Sequence, residues 1–272
     1  MTSVPRMTGR VLRNGLPGLI ALLLGIALFE FIQPVVIASF GGAAGLNALM
    51  DRIPPALQAF ARTRPEFLAL SGLAGYLSLG YTHPLYLVLA GAAVVGFAAR
   101  TLAGEMDRGI VQIALARPIS RQALYLSRFA GVALICIGLA LVGPLGMIAG
   151  IIYSQPGEVA FVNFRAVALT TLALFWAIGG LSLLGSAVAN GAGRVVGWAI
   201  GLLVVSYFVD YFAGIWAPLQ RWTFLSLFDY YNPSEALVNG TVNGTHLAIL
   251  AGVGFVAAAA GLIAFTRRDL PS

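Results

Sequence analysis

The sequence contains no lysine, and all 16 of its basic residues are arginine. That absence rules out a nucleotide-binding loop of the Gly-x-x-x-x-Gly-Lys-Ser/Thr kind, which needs a lysine reaching the β- and γ-phosphates. There is one cysteine, Cys136, and it lies inside an apolar run. An intramolecular disulfide and a multi-thiolate metal site are both excluded. The two histidines, His83 and His246, sit at the edges of apolar runs. No His-Glu-x-x-His, Cys-x-x-Cys or haem-type histidine pair occurs, and an intramembrane serine protease would lack its histidine base.

Charge is scarce as well: 10% of residues are charged against 59% hydrophobic, and the mean hydropathy is +0.90. Such a composition belongs to an integral membrane protein. The net charge of +6 is no nucleic-acid signature, because the arginines flank apolar runs instead of gathering on one basic domain. Arginine without lysine, with abundant alanine and glycine, suggests a high-GC bacterial genome.

What the chain has in quantity is long apolar runs. A hydrocarbon core of about 30 Å takes about 20 residues of helix, and six segments qualify: 16–37, 84–103, 129–152, 166–189, 195–217 and 247–265. They are too long and too uniformly apolar for barrel strands, so the expected fold class is an all-α integral membrane protein with six transmembrane helices. The first run is read as a retained span, being longer than a signal-peptide core. With both termini in the cytoplasm, eleven arginines fall inside and five (Arg52, Arg62, Arg64, Arg165, Arg221) outside, the bias the positive-inside rule asks for. Residues 39–83 then form a long outer loop. Leu46, Leu49, Met50, Ile53, Leu57 and Phe60 share one helical face there, interrupted by Pro54 and Pro55. This stretch and 67–81 are expected as helices lying on the outer membrane surface. Arg6, Arg10 and Arg13 recur at helical spacing before the first span, as an anchor on anionic lipid or a contact for a cytoplasmic partner. No internal repeat or soluble domain is visible, so the whole of 1–272 reads as one transmembrane domain.

The sharpest interruption of this apolar program is 100–128, where five arginines appear with Glu105 and Asp107. On a helical wheel Met106, Ile110 and Ile113 form one stripe, with Val111 and Leu115 nearly opposite. A helix apolar on two faces can pack on its own bundle and on a partner at once. Pro118 should stop it, and Ser120 is placed to cap the next helix. Physics alone also allows a plain interfacial helix that turns the chain around.

Residues 103–121 read Ala-Gly-Glu-Met-Asp-Arg-Gly-Ile-Val-Gln-Ile-Ala-Leu-Ala-Arg-Pro-Ile-Ser-Arg. This resembles the first cytoplasmic loop of type-2 ABC exporter permeases: an acidic residue, Gly-Thr, an apolar stretch, then Arg/Tyr-Pro-Val-Ser-Arg. Ile110 stands where threonine is usual, and Arg128 near a position usually held by lysine. Residues 226–233, Ser-Leu-Phe-Asp-Tyr-Tyr-Asn-Pro, look like the motif before the family's last span, and 265–270 resemble its ending. The resemblance implies a permease subunit working as a homodimer or heterodimer with two copies of an ABC ATPase, in a bacterial cytoplasmic membrane. ATP and magnesium would be held by that partner, and this chain would have no catalytic, cofactor-binding or metal site of its own. It implies that 105–121 is a cytoplasmic coupling helix seated on the ATPase, through Glu105, Asp107, Gly109, Ile110, Leu115, Arg117, Pro118, Ser120 and Arg121.

Two carboxylates lie at membrane depth, Glu30 in the first span and Asp210 in the fifth. Such groups usually face a cavity or a partner. Glu30 could contact substrate, pair with an outer arginine such as Arg165, or serve as a protonated packing residue; Asp210, between Tyr207 and Tyr211, lies nearer the outer interface. Gly193-x-x-x-Gly197-x-x-x-Gly201 and Gly146-x-x-x-Gly150 are ridges for close helix approach, and the resemblance makes Gly197 and Gly201 candidates for a dimer face. Two rival functions remain: a secondary transporter relaying protons through Glu30 or Asp210, and a membrane assembly protein without transport. The first sits poorly with the missing repeat. The substrate is not written in any motif.

Overall fold

The computed structural model describes residues 4–50, 52, 65–111, 116 and 119–268. The expected positions Ile53 to Phe60, Ile113, Leu115, Arg117 and Pro118 lie outside the described residues. Among those described there is no strand. The helices are α1 (Val4–Ser39), α2 (Gly42–Met50), α3 (Pro65–Thr82), α4 (Pro84–Thr101), α5 (Ala103–Asp107), α6 (Arg121–Ser154), α7 (Phe164–Val188), α8 (Ala192–Ala213), α9 (Ala217–Gln220), α10 (Pro233–Asn239) and α11 (Gly244–Arg267). Six of these are long and apolar enough to cross a membrane: α1 from Gly15, α4, α6, α7 with the short turn before it, α8 and α11. Each coincides with a run read from the sequence.

Two spans extend well past their apolar stretch. α1 has 36 residues, about 54 Å at 1.5 Å per residue, so its first turns stand clear of a 30 Å core with Arg6, Arg10 and Arg13 exposed. Its foot is fastened where the Thr8 hydroxyl donates to the Ser127 carbonyl at 3.0 Å. α6 begins at Arg121, two turns before the apolar run, because Ser120 caps it: the Ser120 Oγ accepts from the Ala123 amide at 3.1 Å. A Ser cap satisfies one of the orphan amides of the first turn.

α1 packs along α6, and α7 along α11. The first pair meets backbone to backbone: a Cβ on Gly146 would come within 2.4 Å of the Ala27 carbonyl oxygen, and one on Gly150 within 2.3 Å of that of Phe31. The Gly146/Gly150 ridge is thus consumed inside the protomer. A Cβ on Gly197 or Gly201 would meet no other described element within 4 Å, and that ridge of α8 stays open.

The loops at the far end of the spans from Arg100 fold into a cap. The 226–233 motif is its fastening: the Ser226 hydroxyl donates to the Ser206 carbonyl at 2.8 Å, while the Ser206 Oγ accepts from the Leu227 amide at 2.8 Å. Tyr231 donates to the Tyr81 carbonyl at 3.3 Å, and Pro233 opens α10. The two Asn-Gly-Thr sequences bound a turn, Gly240 closing α10 at φ 69° and Asn243 capping α11. One expectation fails here. The 67–81 stretch is helical, but it kinks at Gly72 (φ 58°). Leu77, Ser78 and Tyr81 are then completely buried against the bundle, with Gly80 against Glu30 and Met147 and Ser78 bonded to Ser234 of α10. Its glycines and serines let it sink between helices instead of lying on a surface.

Candidate coupling surface

α4 ends at Thr101, and the chain turns through Leu102 into α5. α5 is one turn long because Gly109 adopts φ 69°, a left-handed conformation that L-residues with a Cβ avoid. Helical backbone resumes at Ile110 and Val111. The continuous helix assumed by the helical wheel is therefore broken at Arg108–Gly109. Met106 and Val111 point inward, 6% and 0% exposed, while Ile110 points out at 41%. Met106 and Ile110 therefore do not share the stripe read from the sequence; Met106 sides with Val111 instead.

Glu105 turns inward. Its Oε2 accepts from the Arg128 Nη2 at 2.6 Å, with the side chains 13% and 6% exposed. The same guanidinium donates to the Ser127 Oγ at 2.6 Å. Burial lifts the Glu105 carboxyl above its ordinary range, against the pull of Arg128 and Arg108. Asp107 and Arg108 are exposed. Asp107 stands beside Gly191, the N-cap of α8, where the helix dipole favours negative charge. Arg108 folds back to the Gly104 carbonyl at 2.9 Å.

The far end of the segment is held by the C-terminus. The Arg121 Nη1 donates to the Arg268 carbonyl at 2.6 Å. Arg268 in turn donates to the carbonyls of Ala187 and Ala189 at 3.0 Å each and to the Asn190 side chain. Its guanidinium also lies 3.7 Å from the Met106 sulfur. One arginine thus ties α5 and the end of α11 to the C-terminus of α7, where helix carbonyls welcome a cation. Sequence reasoning singled out neither this latch nor the Glu105–Arg128 pair as such. Their partners are 23 to 147 residues apart, beyond any local periodicity.

The membrane carboxylates divide. Glu30 is completely buried, and neither oxygen has a hydrogen-bond partner. The backbone carbonyl of the same residue is freed by Pro34 four positions on. The expected pairing with Arg165 is not formed: Arg165 is exposed and donates to Val162 within its own turn. Closure of α1 onto α6 seals Glu30 among the rings of α3 and α4, where the Tyr81 hydroxyl is also without a partner. Asp210 is half-buried near the stacked rings of Tyr207 and Tyr211, 6.2 Å apart. Neither carboxylate lines the cleft that opens between α4 and α8.

Six spans, with a cap of loops at one end and an arginine-rich surface at the other, define a multi-pass helical membrane protein. Residues 21–270 match the family model described as ABC-2 family transporter protein, and the chain belongs to that family. It is a membrane permease component of an ABC transporter, of a family that is not itself catalytic and that implies an ABC ATPase partner. No curated protein matches the sequence.

Proposed function

We propose that this chain is the permease of an exporter in a bacterial cytoplasmic membrane, both termini inside, and that 105–121 receives the motion of a separate ATPase. ATP and magnesium bind on that partner. Closure of two ATPase copies presses on Ile110, Asp107 and Arg108, and the push reorients two permease bundles around a shared pathway. The supporting observation is the fastening of this surface. Leu102 joins it to α4, the Glu105–Arg128 pair to α6, and Arg268 to α7 and α11. Force at the exposed face therefore reaches four spans.

Pairing of permeases is read from α8 and α1. The Gly197/Gly201 ridge is open, and α1 turns Leu16, Ile20, Leu24, Leu28 and Ile32 outward at four-residue spacing. The test is co-purification of the ATPase with the wild-type chain and with Ile110→Asp, together with ATP turnover in reconstituted membranes. Loss of binding and stimulation with insertion intact supports the reading. Normal binding by the variant would reduce the segment to a turn between spans.

A further inference from the structure

The cleft between α4 and α8 has a volume of about 580 Å³. Its α4 wall is built from Val88, Ala92 and Gly96, its α8 wall from Ile200 and Val204, and Phe175 of α7 forms the floor. Tyr207 brings the one side-chain polar atom among the lining residues. The lining runs from Pro84 to Gly96 along α4, about 18 Å at 1.5 Å per residue, and all of it but Phe228 lies within spans. Small side chains make it a groove: Gly91, Ala92 and Gly96 leave α4 nearly bare where α8 stands opposite. Its shape is that of a narrow channel open to the side, at a depth where the surrounding solvent is acyl chain.

Charge marks one end. Arg100 stands one turn beyond Gly96, at the α1 side of the cleft's end, its terminal nitrogen 3.9 Å from where a Cβ on Gly96 would sit. Arg100 is exposed, and its Nε donates to the Gly96 carbonyl at 2.9 Å. Among the described residues no carboxylate pairs with it, the recorded ion pair being Glu105 with Arg128. Its terminal nitrogen lies beside Gly15 of α1, two residues past Arg13 of the basic stripe. The opposite end is closed by Pro84, Phe208 and Phe228, without a cation.

We propose that this cleft is a binding site for one acyl chain of an anionic glycerophospholipid, whose phosphate headgroup is taken by Arg100 at the arginine-rich end of the spans. The apolar groove supplies the attraction for the chain, and the unpaired guanidinium selects negative over zwitterionic headgroups. Binding does not depend on the transport reading. Its consequence does: α4 runs through Leu102 into the coupling segment, so a lipid wedged against α8 sets the resting position of that segment.

Native mass spectrometry of the detergent-purified chain, mixed with phosphatidylglycerol or with phosphatidylcholine of identical acyl chains, tests this. The wild type should retain phosphatidylglycerol preferentially. Arg100→Gln should lower that retention about fivefold, the factor for one basic residue at an anionic surface, and leave phosphatidylcholine unchanged. Ala92→Trp and, from the other wall, Val204→Trp should each lose both lipids, with thermal unfolding reporting that the fold survives. Equal retention of the two lipids by the wild type overturns the proposal. So does undiminished retention by both tryptophan variants, or tryptophan variants that lose the permease dimer but keep their lipid, which would assign the cleft to a second copy of the chain. Pull-down of the ATPase with the same variants reads the permease proposal separately.

Discussion

Arg128 reaches Glu105 at 2.6 Å across the foot of the bundle, joining the first turn beyond α4 to the second turn of α6. Both side chains are nearly sealed from solvent, so the pair acts as a bolt between two spans rather than as a surface contact. From the sequence, charge reversal at Glu105 reads as a probe of partner docking alone. The structure separates it from Asp107: of the charges at Glu105, Asp107 and Arg108, the latter two face outward.

Glu105→Arg is therefore expected to damage folding. A second guanidinium against buried Arg128 leaves both uncompensated, and breaking a buried pair costs about 3 to 5 kcal/mol. The double variant Glu105→Arg, Arg128→Glu should recover part of that loss. Thermal unfolding of the three proteins in detergent checks it, and a double variant no better than the single one would refute the pairing.

Ile110 and Gly109 separate docking from geometry. Ile110→Asp removes an exposed apolar contact, so unfolding should be within about 0.5 kcal/mol of wild type while ATPase binding falls. Gly109→Val should cost about 1 to 2 kcal/mol because the position is left-handed. Gly109→Asn should be milder, since Asn visits that region. Measured midpoints ranking Val below Asn below Gly would agree with this backbone.

The two glycine ridges should respond oppositely. Gly146→Leu or Gly150→Leu drives a side chain into a backbone carbonyl of α1, and overpacking of this kind costs about 1 to 3 kcal/mol or more. Gly197→Leu with Gly201→Leu meets open space in the protomer, so insertion and midpoint should hold while crosslinking between protomers declines. An unchanged oligomer would leave α8 outside the dimer contact.

Opposite labelling is expected at the two ends of the spans. Cys136 is buried, so a Cys136→Ala background lets single cysteines report sidedness. Glu158→Cys, in the exposed outer connection, should react from outside, and Gly193→Cys, at the exposed start of α8, from the cytoplasm. Reaction of both from one side would overturn the arrangement.

Legibility followed the range of the interactions. Ser120 was readable as a cap because its partner is three residues away. The six spans were readable because apolar length is a property of each run alone. The break at Gly109 was not, since glycine inside an apolar period permits a left-handed turn without requiring it. The 67–81 segment misled because too short to span did not mean resting on a surface; its fate was decided by α1, α6 and α10.

The amino-acid sequence alone determined that the chain is helical and membrane-spanning, where its six spans lie, that no phosphate-loop lysine is present, and which segment interrupts the apolar program. These follow from the composition and period of contiguous residues, which the bilayer reads one helix at a time. Tertiary structure alone decided that Glu105 faces Arg128, that Arg268 clasps the end of α7, and that Glu30 is sealed without a partner. It also decided which glycine ridge is spent within the protomer and where α4 and α8 leave a cleft. Those outcomes depend on the relative rotation and depth of helices distant in the chain, set by packing summed over the whole bundle and carried by no single run.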